Sequence, residues 1–334
     1  MKKILIIKPS ALGDIVHALP FLAAIKRTYP NCEVHWVVAR GLHTFLEGHS
    51  LIHKLWIFEK KRWGKLGNVL QTVLDLRCLW RDLHAERFDV SVDLSGLLRS
   101  GLLTVAAGAK RKCGFSDAGE GSSFFYNDTV VGGEQIHALD RYLKLATHLG
   151  CASYPVEYPL APLGDPPALM AQLPERFAVF APSAGKPANR WPAERFGQLA
   201  KRLKIPVVVV ASEAEKVVAE EAVKASGNSM ISVAGQTSLK ELTTLIGRAQ
   251  FFVTNDTGPM HIAAAQGVPV VALFGPANPV RTGPYGAQHI ILQEELDCIP
   301  CYAWQPCSHW RCMKNLTVDR VFECITSRLM PDEA

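Results

Sequence analysis

Residues 250–276, QFFVTNDTGPMHIAAAQGVPVVALFGP, constrain the chain more than any other stretch. Two short apolar runs, 251–253 and 268–274, enclose a segment of small residues. Runs this rich in β-branched and aromatic residues suit strands covered on both faces, and the small residues suit a helix packed closely on a sheet. Asn255, Asp256, Thr257 and Gly258 break the first strand and offer capping side chains, and Pro259 falls where a first helical turn needs no N–H. A strand, a polar turn, a helix and a second strand make a parallel βαβ unit. Its helix N-terminus presents free N–H groups and the positive end of the dipole to an anion. Gly258 lets a ligand approach the backbone, and Asp256 and His261 add titratable groups at the same place.

The rest of the chain repeats this alternation. Residues 3–8 predict a strand, 9–14 a loop of small residues with Gly13, and 15–28 a helix, which is a Rossmann-like opening without the G-x-G-x-x-G fingerprint. Further strands are predicted at 33–39, 54–58 and 88–94, and helices at 66–87, 97–107 and 135–149; residues 113–127 read as a glycine-rich loop. Residues 155–167 are rich in proline and lack a period, which reads as a linker between domains 1–154 and 168–334. The second half predicts strands at 177–181, 206–211 and 230–233 and helices from 191, 214 and 238, the last opened by the capping box Ser238–Glu241. Thr317 caps a final helix to residue 329, which is allowed to pack back on the first domain. Ligands bind at the carboxyl ends of the strands in such sheets. Asp14 and residues 256–258 are therefore expected to face a cleft between the domains.

The chain has 334 residues and a formal net charge of +5, too little to point to nucleic acid but compatible with an anionic substrate or membrane surface. The apolar run at residues 4–7 is too short for a signal peptide, and no window approaches the roughly 20 apolar residues of a membrane span. A cytoplasmic protein, peripheral to a membrane at most, is the expectation.

Three segments together resemble glycosyltransferase family 9, the heptosyltransferases: ILIIKPSALGDIVHALP at 4–20, APSAGKPANRWP at 181–192, and TNDTGPMHIAA at 254–264 continuing to LFGP at 273–276. The resemblance implies an α/β protein of GT-B fold, two Rossmann-like domains facing across a cleft. It implies an inverting transfer of L-glycero-D-manno-heptose from ADP-heptose to the lipopolysaccharide inner core, on a lipid A–Kdo type acceptor at the inner membrane, with no cofactor and no catalytic metal. Two alternatives are a family 9 transferase of another sugar or acceptor, and a silent GT-B binding module.

Residue roles follow from that resemblance. Asp14 matches the general base that takes the acceptor proton; its other reading is an N-cap on the first helix. Thr257 and Gly258 would donate to the diphosphate, with Ser183 and Ala184 in the loop that approaches it. Asp256 would hold sugar hydroxyls, and His261 would touch the ligand or pack in the helix. Lys186 and Arg190 are the cations available to the leaving group. The chain departs from the family at Asn189, where many members carry lysine. Glu213 aligns with a ribose-binding position and Thr237 with the base pocket. Lys8, His17, Arg62, Arg99 and Arg141 are candidate acceptor contacts, and residues 60–63 fit either anionic headgroups or a solvated turn.

Cys298, Cys301, Cys307 and Cys312, with His309, have spacing that a structural zinc site uses, and a thiol-rich packed loop is the other reading.

Overall fold

The computed structural model describes residues 1–59, 69–166 and 168–330, with residues 69–73 described by backbone alone. The chain divides into two compact units, Met1–Pro162 and Leu163–Ala334. The division falls inside the proline-rich stretch, and a physical reason keeps the start of that stretch in the first unit. Arg27 donates to the carbonyls of Tyr154 and Pro155 and pairs with Glu157, and the His49 ring meets the Pro159 carbonyl at 2.8 Å.

The first unit runs β1 (Lys3–Ile7), α1 (Leu12–Thr28), β2 (Glu33–Ala39), β3 (Lys54–Phe58), α2 (Val69–Ala85), β4 (Val90–Asp93), α3 (Leu98–Ala106), β5 (Arg111–Phe115), β6 (Asp128–Val130) and α4 (Ala138–His148). The second runs β7 (Ala178–Ala181), α5 (Ala193–Arg202), β8 (Val207–Val209), α6 (Lys216–Ala225), β9 (Ile231–Ser232), α7 (Leu239–Gly247), β10 (Phe252–Asn255), α8 (Gly258–Ala265), β11 (Val270–Phe274), β12 (Ile290–Gln293) and α9 (Val318–Leu329).

Each unit holds a six-stranded sheet, ordered β3-β2-β1-β4-β5-β6 in the first and β9-β8-β7-β10-β11-β12 in the second. Every pairing is parallel: Ile4 lies between Val34 and Val90, and Val253 between Phe180 and Val271. Both orders are the doubly wound 3-2-1-4-5-6 pattern, which reverses direction between the first and fourth strands. The switch points are β1/β4 and β7/β10. Ile4, Leu5, Ile6 and Ile7 are fully buried, as are Phe252, Val253 and all of β11. Each such Ile, Leu, Val or Phe side chain contributes about 1.5–3 kcal/mol.

Two strands are absent from the sequence reading: β5 begins two residues before the stretch 113–127 read as a glycine-rich loop and ends inside it, and β6 directly follows that stretch. β5 carries Arg111 and Lys112, and β6 is a three-residue edge strand held by pairing rather than by its own pattern. The helix α1 starts at Leu12 rather than residue 15, so Asp14 is inside the first turn and is not the N-cap. Thr317 caps α9 by accepting from the Arg320 N–H, and Val321 and Ile325 of α9 pack into the core of the second unit with Phe196 of α5. No helix among the described residues is long and apolar enough to cross a membrane.

Candidate functional site

Each switch point gathers polar side chains that the core would not otherwise tolerate. In the first unit, Asp14 stands beyond the carboxyl end of β1. Its Oδ2 accepts from the Ala11 N–H at 3.0 Å and lies 3.4 Å from the Lys8 ammonium, while the Tyr142 hydroxyl of α4 donates to Oδ1 at 3.3 Å. The carboxylate therefore has a fixed direction while keeping 38% of its side-chain surface open. Lys8 is 5% exposed. Burial alone would lower its pKa; Tyr142, Asp14 and Asp93 around it more than offset that and raise it, so the ammonium stays charged. Burial, then Asp14, pushes the Tyr142 hydroxyl up to about 12, so it stays a donor.

Asp93, the last residue of β4, also acts on Lys8. It is fully buried and accepts from the Tyr126 hydroxyl at 2.6 Å and from the Ser95 and Gly96 N–H groups at 2.7 and 3.1 Å. Its pKa is raised by burial, partly countered by those donors. Tyr142 and Asp93 were not singled out from the sequence. The signal available for Asp93 was its place at a strand end beside a switch point.

The other acceptor candidates scatter. His17 is 2% exposed and meets His137 edge-on at 4.8 Å, so it lines the interior of the α1/α4 contact. Arg141 forks onto Asp117 at 2.8 and 2.9 Å, donates to the Gly133 carbonyl and stacks over Phe115. That set of contacts anchors the loop after β6. Arg99 is exposed on α3, and Arg62, with the rest of 60–63, lies outside the described residues.

In the second unit, the loop leaving β7 is tied to the loop leaving β10. The Asn255 amide donates to the Pro182 carbonyl at 2.7 Å, and its Oδ1 accepts from the Trp191 N–H at 2.9 Å. One residue on, Asp256 Oδ2 accepts from the Asn189 amide at 2.9 Å. Asn189 thus gives Asp256 a neutral partner. Burial pushes the Asp256 carboxyl up to about 6, with Lys186 pulling the other way. The helix α8 then starts at Gly258 with Thr257 as its N-cap, Pro259 in its first turn, and no side-chain hydrogen bond from Thr257 to the helix. Its first N–H groups are left for something other than that hydroxyl. His261 is 7% exposed in the first turn of α8.

Ser183 and Ala184 are buried in the β7 loop, and the Ala184 carbonyl accepts from Arg190 Nε at 2.7 Å. Arg190 also reaches Glu215 at 3.5 Å, so it braces the loop, and Lys186 is the half-buried cation beside Asp256. Glu213 is exposed in a 3₁₀ turn after β8, with its carboxylate lying so close to Gly235 that a Cβ there would sit 1.9 Å from Oε2. At φ +74° Gly235 also holds a backbone that other residues rarely adopt. Thr237, half-buried, precedes the Ser238 cap of α7.

The cysteine loop covers the back of this region: Trp310 Nε1 donates to the Ala188 carbonyl at 3.0 Å. Cys307 Sγ lies 3.4 Å from His309 Nδ1, and Cys312 has its thiol pushed up by burial and then by Cys307, Cys301 and Cys298. Among the described residues, no three of these ligand atoms gather within 4.8 Å; that closeness is reached by Glu33, His35 and His53. In that group Glu33 is paired with Lys3 at 3.3 Å, and the buried His35, lowered to about 4 by burial, uses Nδ1 to accept from Trp56.

The model of "Glycosyltransferase family 9 (heptosyltransferase)" matches residues 76–309. The chain is 29% identical to "Lipopolysaccharide core heptosyltransferase OpsX" of Haemophilus influenzae, over 85% of this chain and 82% of that one. It is 30% identical to "Lipopolysaccharide heptosyltransferase 1" of Pseudomonas aeruginosa, over 90% and 86%. Among solved structures it resembles "E. coli heptosyltransferase WaaC with ADP-2-deoxy-2-fluoro heptose", with a TM-score of 0.78, 24% identity, and coverage of 97% and 99%. That likeness shows the GT-B fold.

Proposed function

Since the chain belongs to glycosyltransferase family 9, we propose that this glycosyltransferase moves a heptose from ADP-heptose to the lipopolysaccharide inner core, at the cytoplasmic face of a membrane. The observation that carries the donor half is the pair of ties Asn189–Asp256 and Trp191–Asn255, which hold two strand-end loops together at the β7/β10 switch point. A diphosphate there would meet the backbone N–H groups of Thr257 and Gly258 and the Lys186 ammonium. These would neutralise the leaving group as the glycosidic bond breaks. Asp256 would accept from sugar hydroxyls and Glu213 from the ribose. On the acceptor side, Asp14 would take the proton of the attacking hydroxyl, held in place by Lys8, Tyr142 and the Ala11 N–H.

A thermal-shift series tests the donor assignment. ADP is expected to raise the melting temperature as its concentration passes its Kd, and UDP and GDP to raise it less at equal concentration. A larger shift with UDP or GDP would overturn it. Incubation with ADP-heptose and a heptose-free core acceptor should then release ADP.

The position of Asp256 gives a pH dependence. Protonated below about 6, it does not repel a diphosphate; ionised above, it repels ADP but accepts better from sugar hydroxyls. The preference for ADP-heptose over ADP should therefore grow with pH, about tenfold between pH 5 and 7.5. Calorimetric titration checks this against Asp256→Asn. That variant sees the same ionisation of the nucleotide, so an equal slope in both proteins would remove Asp256 from the sugar site.

A further inference from the structure

We propose that the apolar face between α2 and α3 is the surface by which the enzyme docks on an anionic lipid bilayer. This deepens the reading above, in which the acceptor is a glycolipid.

Leu76 and Trp80, one turn apart on α2, are 41% and 45% exposed, and Leu98 and Leu102, one turn apart on α3, are 48% and 46% exposed. Large apolar side chains of this kind normally occur singly on a soluble surface. Here Leu76 and Trp80 on one side and Leu102 on the other form two rails along a hollow of about 260 Å³ whose lining includes Phe58, Leu79, Leu103 and Ala106, with Leu98 one turn before Leu102. A second hollow of about 330 Å³ continues from Leu76 and Trp80. Beside α3, Phe125 of the turn Ser122–Phe125 packs on Gly101, and its neighbour Phe124 is 91% exposed.

The charges select the occupant. Among the described residues, Arg99 is the charged residue lining the first hollow, Arg77 and Arg81 line the second, and no carboxylate lines either. Arg81 pairs with its neighbour Asp82, while Arg77 and Arg99 are exposed. Hydrocarbon rails rimmed by guanidinium groups, with a tryptophan at the rim and a protruding phenylalanine, match acyl chains below anionic headgroups. A second copy of the chain would bring the same arginines and repel. The N-terminus of α3 follows the end of β4, so the face begins at the edge of the sheet where Asp14 and Asp93 stand. A bilayer held there would deliver a glycolipid headgroup to the base.

The test uses the full chain and sucrose-loaded vesicles. Vesicles of phosphatidylethanolamine with a third phosphatidylglycerol should sediment the protein, and pure phosphatidylcholine vesicles should do so at least about tenfold less well. Replacing Trp80 and Leu102 by Ser should lower binding about tenfold or more, and Arg77→Gln about fivefold. The residues are exposed, so the variants should keep the wild-type melting temperature and ADP shift, which also separates this test from that of the donor site. Equal sedimentation with both lipids, or undiminished binding of the Trp80/Leu102 variant, would overturn the proposal. So would a dimer in sedimentation velocity that the same variant abolishes.

Discussion

Asp14→Asn is expected to lower turnover by about 10²–10⁴-fold while leaving ADP binding unchanged. The substitution is nearly isosteric, and the amide oxygen can still accept from the Ala11 N–H or the Tyr142 hydroxyl, so the first turn of α1 should keep its shape. What disappears is the lone pair able to take a proton. The Lys8 ammonium loses one counter-charge but retains Asp93 and the Tyr142 hydroxyl, which also act on it, so its burial stays compensated. The donor half lies in the other unit, on loops tied through Asn255 and Asp256. Steady-state kinetics of ADP release, with the ADP thermal shift as control, decides the matter. Turnover within threefold of wild type would sink the assignment; a lost ADP shift would mean that the variant had damaged more than the base.

Much of this arrangement was legible in the sequence, and the reasons are local. β2 and β3 fall at 33–39 and 54–58 as predicted, because their apolar runs are continuous and bounded by polar residues. The Ser238–Glu241 capping box forms as read, since both partners lie within one turn. Asp14 and Asp256 could be picked out because each comes within a few residues of a predicted strand's carboxyl end, near a glycine. Tyr142 could not: it lies 128 residues from the carboxylate it touches, and its own helix pattern marks it as core. Asn189 looked like the loss of a cation, and only its 2.9 Å contact with Asp256 gives it a role. β6 escaped because an edge strand owes its conformation to its neighbour, and β5 because it opens on two charged residues; Arg111, Lys112 and Asp128 carry no apolar period.

Trp191→Ala should be the most damaging change in the second unit, costing about 3–5 kcal/mol. The indole is fully buried, meets Phe196 edge-on at 5.0 Å, and donates to the Leu316 carbonyl at 2.7 Å. Its backbone N–H is one end of the Asn255 tie, so it fixes the point where the donor loop enters α5. Truncation leaves a cavity under that loop, and ADP affinity should fall along with stability. Trp191→Phe separates packing from hydrogen bonding. Phenylalanine fills most of the space, and the Leu316 carbonyl keeps a donor because Arg195 also reaches it at 2.7 Å. The Phe variant should therefore lose less than half as much as the Ala variant, and should retain ADP binding. Urea titrations followed through the transition that ADP stabilises measure both. Equal losses in the two variants would place the energy in the indole N–H bond, and a loss below about 1 kcal/mol in Trp191→Ala would show that the loop is anchored elsewhere.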